Sequence, residues 1–179
     1  MSGTKRVYHL EEKNYFKFFG IQEKQDISVR SLTTHYKKII TILKQNEDFL
    51  SKDKVQFAHR AFETLVDPIA RAKYILELNG VETDVRDSGN PEDFFYIHTF
   101  NDRYDSITSS ADMDAFILDL KSQTSFIKEE IEFAIDTDLN FKLASGLLNR
   151  FYEISKIHEK SKNKKNEIEM GITHVVFDK

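Results

Sequence analysis

Apolar residues recur at three- and four-residue intervals along most of this chain, and the polar breaks between them are short. That period is helical. The run from Phe57 to Gly80, FAHRAFETLVDPIARAKYILELNG, shows it best. Phe57, Ala61, Phe62 and Leu65 share one face, and Ile69, Ala72, Ile75, Leu76 and Leu78 share another. Pro68 lacks an N–H and pushes Asp67 out of the α conformation, so the pattern predicts two helices hinged at Asp67-Pro68. Gly80 stands where a helix end needs a residue tolerant of positive φ.

The same reading predicts a short aromatic helix over 13–19, stopped by Gly20, and a helix over 28–46 capped by Asp26 or Ser28. The stripe of the latter is Leu32, Tyr36, Ile39, Ile40 and Leu43, with His35, Lys37, Lys38 and Lys44 off it. A loop through Glu47 to Asp53 leads to helices at 53–66 and 68–78. Residues 81–90 form a connector with Gly89 as its breaker. Pro91, followed by Glu92 and Asp93, opens a helix over 91–108. A second helix, from about 112 to 135, carries Met113, Phe116, Ile117, Leu120, Ile127, Ile131, Ala134 and Ile135. A third is capped by Asp136-Thr137-Asp138 and carries Leu139, Leu143, Leu147, Phe151, Ile154 and Ile157. Three such helices with short connections predict an antiparallel three-helix bundle. The charged 160–169 stretch is expected to fray, and Ile172 to Phe177 is a short apolar tail.

Composition narrows the classes. With 179 residues, 40% hydrophobic and 31% charged, the chain suits one soluble domain or two small ones. The absence of cysteine removes disulfides, thiolate catalysis and Cys-ligated metal. No apolar run approaches the roughly 20 residues of a membrane span, and Glu11 and Glu12 argue against a presequence, which favours a bacterial cytoplasm over an organelle matrix. The six histidines show no metal-ligand spacing, and there is no phosphate-cradling glycine loop. No catalytic, cofactor or nucleic-acid role is expected. Residues 1–80 carry 14 Lys/Arg against 10 Asp/Glu, and 81–179 carry 12 against 20, so the halves differ in sign and suit different partners.

Residues Ala58, Ala61, Phe62, Thr64, Leu65, Asp67, Pro68, Ile69, Arg71, Ala72, Tyr74, Ile75, Leu76, Leu78 and Gly80 together resemble the third helix and exit of the J-domain in HscB-type co-chaperones of iron–sulfur cluster assembly. Asn14-Tyr15-Phe16, with Phe19-Gly20, is similar to the opening of the same class. The resemblance spans about residues 14–160. It implies an all-α, L-shaped fold, with a J-like helical hairpin in 1–80 and a scaffold-binding bundle in 91–179. It also implies two partners, a DnaK/HscA-class chaperone ATPase and an IscU-type scaffold. Toward the ATPase it assigns Lys37 and Lys38 on the basic helix, with Lys44-Gln45-Asn46 in the slot of the family's His-Pro-Asp. That tripeptide is missing, since the only prolines are Pro68 and Pro91. Toward the scaffold it assigns Phe94, Phe95, His98 and Asp102, with Phe151 or Tyr152 as a late aromatic; a shift of one residue would put Glu153 there instead. Adjacent aromatics cannot share one helix face well, so one of Phe94 and Phe95 is expected in the core and the other outside. Other readings are a J-like adaptor or decoy that binds without stimulating hydrolysis, and, more remotely, a helical enzyme or small-ligand carrier.

Overall fold

The computed structural model describes residues 12–45, 49–81 and 91–171, with 49–51 and 91–94 described as backbone only. The described residues form seven helices and no strand. The predicted tail at 172–177, most of the connector and Asn46 lie outside them.

Helix α1 (Tyr15–Phe19) is short and strongly determined at both ends. The Asn14 side chain accepts from the N–H groups of Phe16 and Lys17, and Gly20 closes the helix at φ 62°. Phe16, Phe18 and Phe19 are completely buried, each stabilising the fold by roughly 1.5–3 kcal/mol. The Tyr15 ring stacks on Tyr74 at 4.3 Å and meets Phe57 edge-on, which ties α1 to two later helices.

Helix α2 (Val29–Lys44) is capped by Ser28, whose hydroxyl accepts from Ser31 N–H. Its buried stripe is Leu32, His35, Ile39 and Leu43. His35, expected off the stripe, is therefore a core residue; it stands one turn from Leu32 and Ile39 and faces inward with them. Helix α3 (Phe49–Val66) begins four residues before the expected start. The segment expected to be a loop as far as Asp53 contains no glycine or proline from Phe49 onward, so nothing stops the helix from nucleating earlier.

Helix α4 (Pro68–Leu78) starts as predicted. Asp67 is extended at ψ 121°, and its carboxylate accepts from the N–H groups of Ile69 at 2.8 Å and Ala70 at 2.7 Å. Ile69, Ala72, Ile75 and Leu76 are buried, whereas Leu78, expected beside them, is exposed because it is two residues past Leu76 and so faces away. Gly80 takes φ 72°.

Helices α5 (Pro91–Ser106), α6 (Ser110–Asp136) and α7 (Phe141–Glu169) form the bundle. Tyr96 bonds Gln123 while Phe100 reaches Phe116, so α5 and α6 run antiparallel. Ser110 bonds Glu169 and Lys165 pairs with Asp114, so α6 and α7 do too. All eight predicted core residues of α6 are buried. Its cap is Ser109, so it starts two residues earlier than expected. The cap of α7 is Asn140, not Asp136-Thr137-Asp138, because Asp136 is used elsewhere and Leu139 adopts φ 52° in the reversal. Leu139 lies outside α7 and is exposed. The 160–169 stretch, expected to fray, remains helical. Ser161 is buried, Lys164 Nζ donates to the Tyr104 carbonyl at 2.7 Å, and Lys165 reaches Asp114 at 2.8 Å.

The first four helices meet the bundle along a seam of α4 against α6 and α7. Asp136 at the end of α6 accepts from the Gln25 and Asp26 N–H groups, both at 2.7 Å. Buried Arg71 donates through Nε to the Gln25 carbonyl at 2.8 Å and through Nη1 to the Leu65 carbonyl. The Gln25 side chain donates to the Pro68 carbonyl. Burial lowers the Arg71 pKa, and the carboxylates of Asp67, Glu132, Asp136 and Asp26 oppose that shift.

Two outcomes follow from this seam. Asp136→Ala leaves two N–H groups without acceptors and should cost about 1–3 kcal/mol in a urea titration; a change below about 0.5 kcal/mol, the ordinary surface value, would refute the lock. Glu132 responds in the opposite sense. Burial, then Asp26 and Asp136, hold its carboxyl above the usual range, with Arg71 pulling the other way. A raised carboxylate pKa means the folded state binds the proton more tightly, so the ionised group weakens the fold at neutral pH. Glu132 is exposed, so solvent screens the effect, and Glu132→Gln should raise stability at neutral pH only slightly, by no more than a few tenths of a kcal/mol. The gain should vanish below about pH 4, where both states are protonated. A thermal melt at the two pH values checks it, and a variant less stable at neutral pH would contradict it.

Candidate protein-docking faces

The exposed side of α2 is basic because its apolar residues are spent on the core. Lys38, Thr41, Ile42 and Gln45 follow at i, i+3, i+4 and i+7, and Lys37 and Lys44 run alongside, one heptad apart. Lys37, Lys38, Thr41, Ile42 and Gln45 line a shallow groove of about 420 Å³. The side chains of Lys37, Lys38, Lys44 and Gln45 are all exposed, and Ile42 is a half-exposed apolar floor among them. The structure thus brings four of the five residues assigned to the ATPase side onto one face. The fifth, Asn46, lies outside the described residues. Behind the groove, Tyr36 stacks on Phe62 at 4.2 Å and its hydroxyl meets His59 Nδ1 at 2.6 Å, which holds α2 on α3.

The second face lies on α5. Phe95, His98 and Asp102 stand at i, i+3 and i+7, and all three are exposed, Phe95 at 73%. His98 Nδ1 lies 3.4 Å from Asp102 Oδ1, an ion pair when the imidazole is protonated. The other side of α5 is anchored. The Tyr96 hydroxyl donates to Gln123 at 2.8 Å, the Arg150 guanidinium covers the Tyr96 ring, and Arg103 pairs with Asp119. Burial raises the Tyr96 hydroxyl pKa, although Arg150 works against it. Phe95 is exposed; the Phe94 side chain, the other half of the expected core-and-surface pair, is not among those described.

The late aromatics are half-buried and occupy two environments. Phe151 lies under Lys128 of α6. Tyr152 sits within electrostatic reach of Asp67, and burial first and that carboxylate second raise its hydroxyl pKa. Tyr152 is thus located by the seam at the α3–α4 break. Arg150 and Gln123, which fix the orientation of α5, escaped sequence reasoning, since a polar residue on a helix reads as solvated until its neighbour is known. The family resemblance, not spacing, was the signal that singled out Phe95, His98 and Asp102. Among the described residues no three His, Cys, Asp or Glu side chains converge as metal ligands, and no helix is long and apolar enough to cross a membrane.

No family model matches the chain. A co-chaperone protein HscB homologue of Shewanella amazonensis is 20% identical over 161 residues, covering 81% of this chain and 92% of the relative. The human co-chaperone protein HscB superposes with a TM-score of 0.71 at 21% identity, over 92% of this chain and 84% of that one. The chaperone HscB from Vibrio cholerae gives 0.70 at 16% identity, over 87% of this chain and 99% of that one. The likeness read from Phe57 to Gly80 therefore extends along most of the chain, which is similar in sequence to HscB-type co-chaperones and shares their all-helical fold.

Proposed function

We propose that this protein is a co-chaperone of iron–sulfur cluster assembly that brings an IscU-type scaffold to a DnaK/HscA-class ATPase. In this reading residues 1–80 meet the ATPase, 81–90 connect, and 91–179 meet the scaffold, in a bacterial cytoplasm. The observation that carries it is the α5 stripe. Phe95 exposes most of a large aromatic side chain beside His98 and Asp102, on a helix whose opposite side is fully committed to the bundle. An exposed aromatic rimmed by polar groups is the usual form of a binding hot spot. The basic groove of α2 supplies the second contact, and its lysines suit an acidic patch on an ATPase. The seam through Asp136 holds the two faces in one arrangement, which supports a role in bringing two proteins together.

The stimulation of ATP hydrolysis rests on weaker chemistry. Helix α2 ends at Lys44 with Gln45 as its cap, and the sequence there has neither a proline to rigidify the turn nor a carboxylate at the third position. This favours a second reading, an adaptor that binds both partners without accelerating the ATPase.

For the scaffold face, Phe95→Ser combined with Asp102→Lys should weaken scaffold binding by at least about tenfold, a loss of roughly 1.4 kcal/mol, with the helical circular dichroism unchanged. Unaltered affinity in isothermal titration would remove α5 from the interface. For the ATPase face, single-turnover hydrolysis with and without the scaffold separates the two readings. The adaptor reading expects no acceleration by the wild-type chain and a gain on changing Lys44→His, Gln45→Pro and Asn46→Asp together. Acceleration by the wild type, abolished by Lys37→Glu with Lys38→Glu, would establish the full co-chaperone instead.

A further inference from the structure

Helix α6 is apolar on two opposite sides. Its buried residues, among them Phe116, Leu120 and Ile127, point into the bundle. Leu118, Phe126 and Phe133 are exposed at 69%, 56% and 56%. At 3.6 residues per turn these three fall within about 80° of one another, on the side facing away from the core. A helix that needed only one partner would carry polar residues there.

The bundle leaves this side open at one end. Tyr96 of α5 pairs with Gln123, and α5 begins only five residues earlier, at Pro91. Since the two helices are antiparallel, the same count along α6 ends near Lys128, while α6 continues to Asp136. The 16 residues of α5 span about 24 Å, against about 40 Å for the 27 of α6, so among the described residues α5 stops short of the last two turns of α6, which meet α4 only along the Arg71 seam. An open groove of about 430 Å³ lies there. Phe133, Leu143 and Leu147 give it an apolar floor, and Glu129, Glu130 and Asp138 give it an acidic rim. Leu143 is itself exposed at 46%. The last turn of α6 contains no basic residue, and its carbonyl end adds partial negative charge.

We propose that this groove docks a cationic amphipathic helix of a partner protein, with apolar side chains on Phe133 and Leu143 and lysines or arginines against Glu129, Glu130 and Asp138. Charge complementarity selects this occupant. A second copy using the same face would set carboxylate against carboxylate. The chain's own connector carries Glu82, Asp84 and Asp87 against a single Arg86, which is the wrong sign. The groove is distinct from the Phe95 stripe, so the inference stands or falls independently of the scaffold reading.

The test titrates the full chain with a fluorescent synthetic helix of about five turns, built of Leu and Lys at helical spacing, and with a counterpart carrying Glu for Lys. Saturable one-to-one binding of the lysine peptide alone is expected. Phe133→Ser with Leu143→Ser should weaken it at least about tenfold, Glu129→Lys with Glu130→Lys should abolish it, and Phe95→Ser should leave it unchanged. Hydrogen exchange should show protection confined to 126–147. Both groove substitutions lie at exposed positions, so helical content should match the wild type. Equal affinity in the Phe133/Leu143 variant, or protection elsewhere, would overturn the proposal. So would self-association of the chain in sedimentation that the same variant abolishes, since the occupant would then be a second copy.

Discussion

Asp136 terminates α6 and accepts two backbone N–H groups from the loop between α1 and α2. The buried Arg71 donates to the carbonyl of one of those same residues, Gln25. Between them the two charges satisfy the polar backbone of a loop trapped where α4 meets α6 and α7. Burying a guanidinium carries a penalty that only such bonds and nearby carboxylates offset. The position of each docking face relative to the other depends on this seam, where α4 meets α6 and α7.

The two faces themselves arise from what the core does not use. In α2 the inward stripe takes Leu32, His35, Ile39 and Leu43, leaving lysines and one isoleucine outside. In α5 the inward side is held by Tyr96, Phe100 and Arg103 acting on Gln123, Phe116 and Asp119, and Phe95, His98 and Asp102 lie on the exposed side. A helix anchored on one side and aromatic on the other presents its outward residues rigidly, which reduces the ordering cost of binding. The acidic groove on α6 and α7 is a third instance of the same logic. It exists because α5 is too short to cover the hairpin it packs against.

Much of this was legible in the sequence where the cause is local. Pro68, Gly20 and Ser109 mark helix ends through one residue's own backbone or side chain, and each end lies at or within a few residues of its predicted place. The core of α6 was legible for the same reason, since burial on a long helix follows its period. Phe95, His98 and Asp102 were singled out in the sequence only through the family resemblance. His35 was misread because its polarity suggested solvent, while its register with Leu32 and Ile39 decided otherwise.

What the tertiary structure alone decided involves residues far apart in the chain. Asp136 looked like the cap of the next helix until the loop carrying Gln25 and Asp26, some 110 positions away, proved to claim its carboxylate. The charged end of α7 looked frayed until Tyr104 and Asp114 supplied partners for Lys164 and Lys165. Packing of α7 against α4 brought Tyr152 within electrostatic reach of Asp67. Helix period, capping and breakers are properties of neighbouring residues, so the sequence by itself determined the helices and their inward faces. Hydrogen bonds between distant segments depend on how those helices pack, and only the folded chain could decide them.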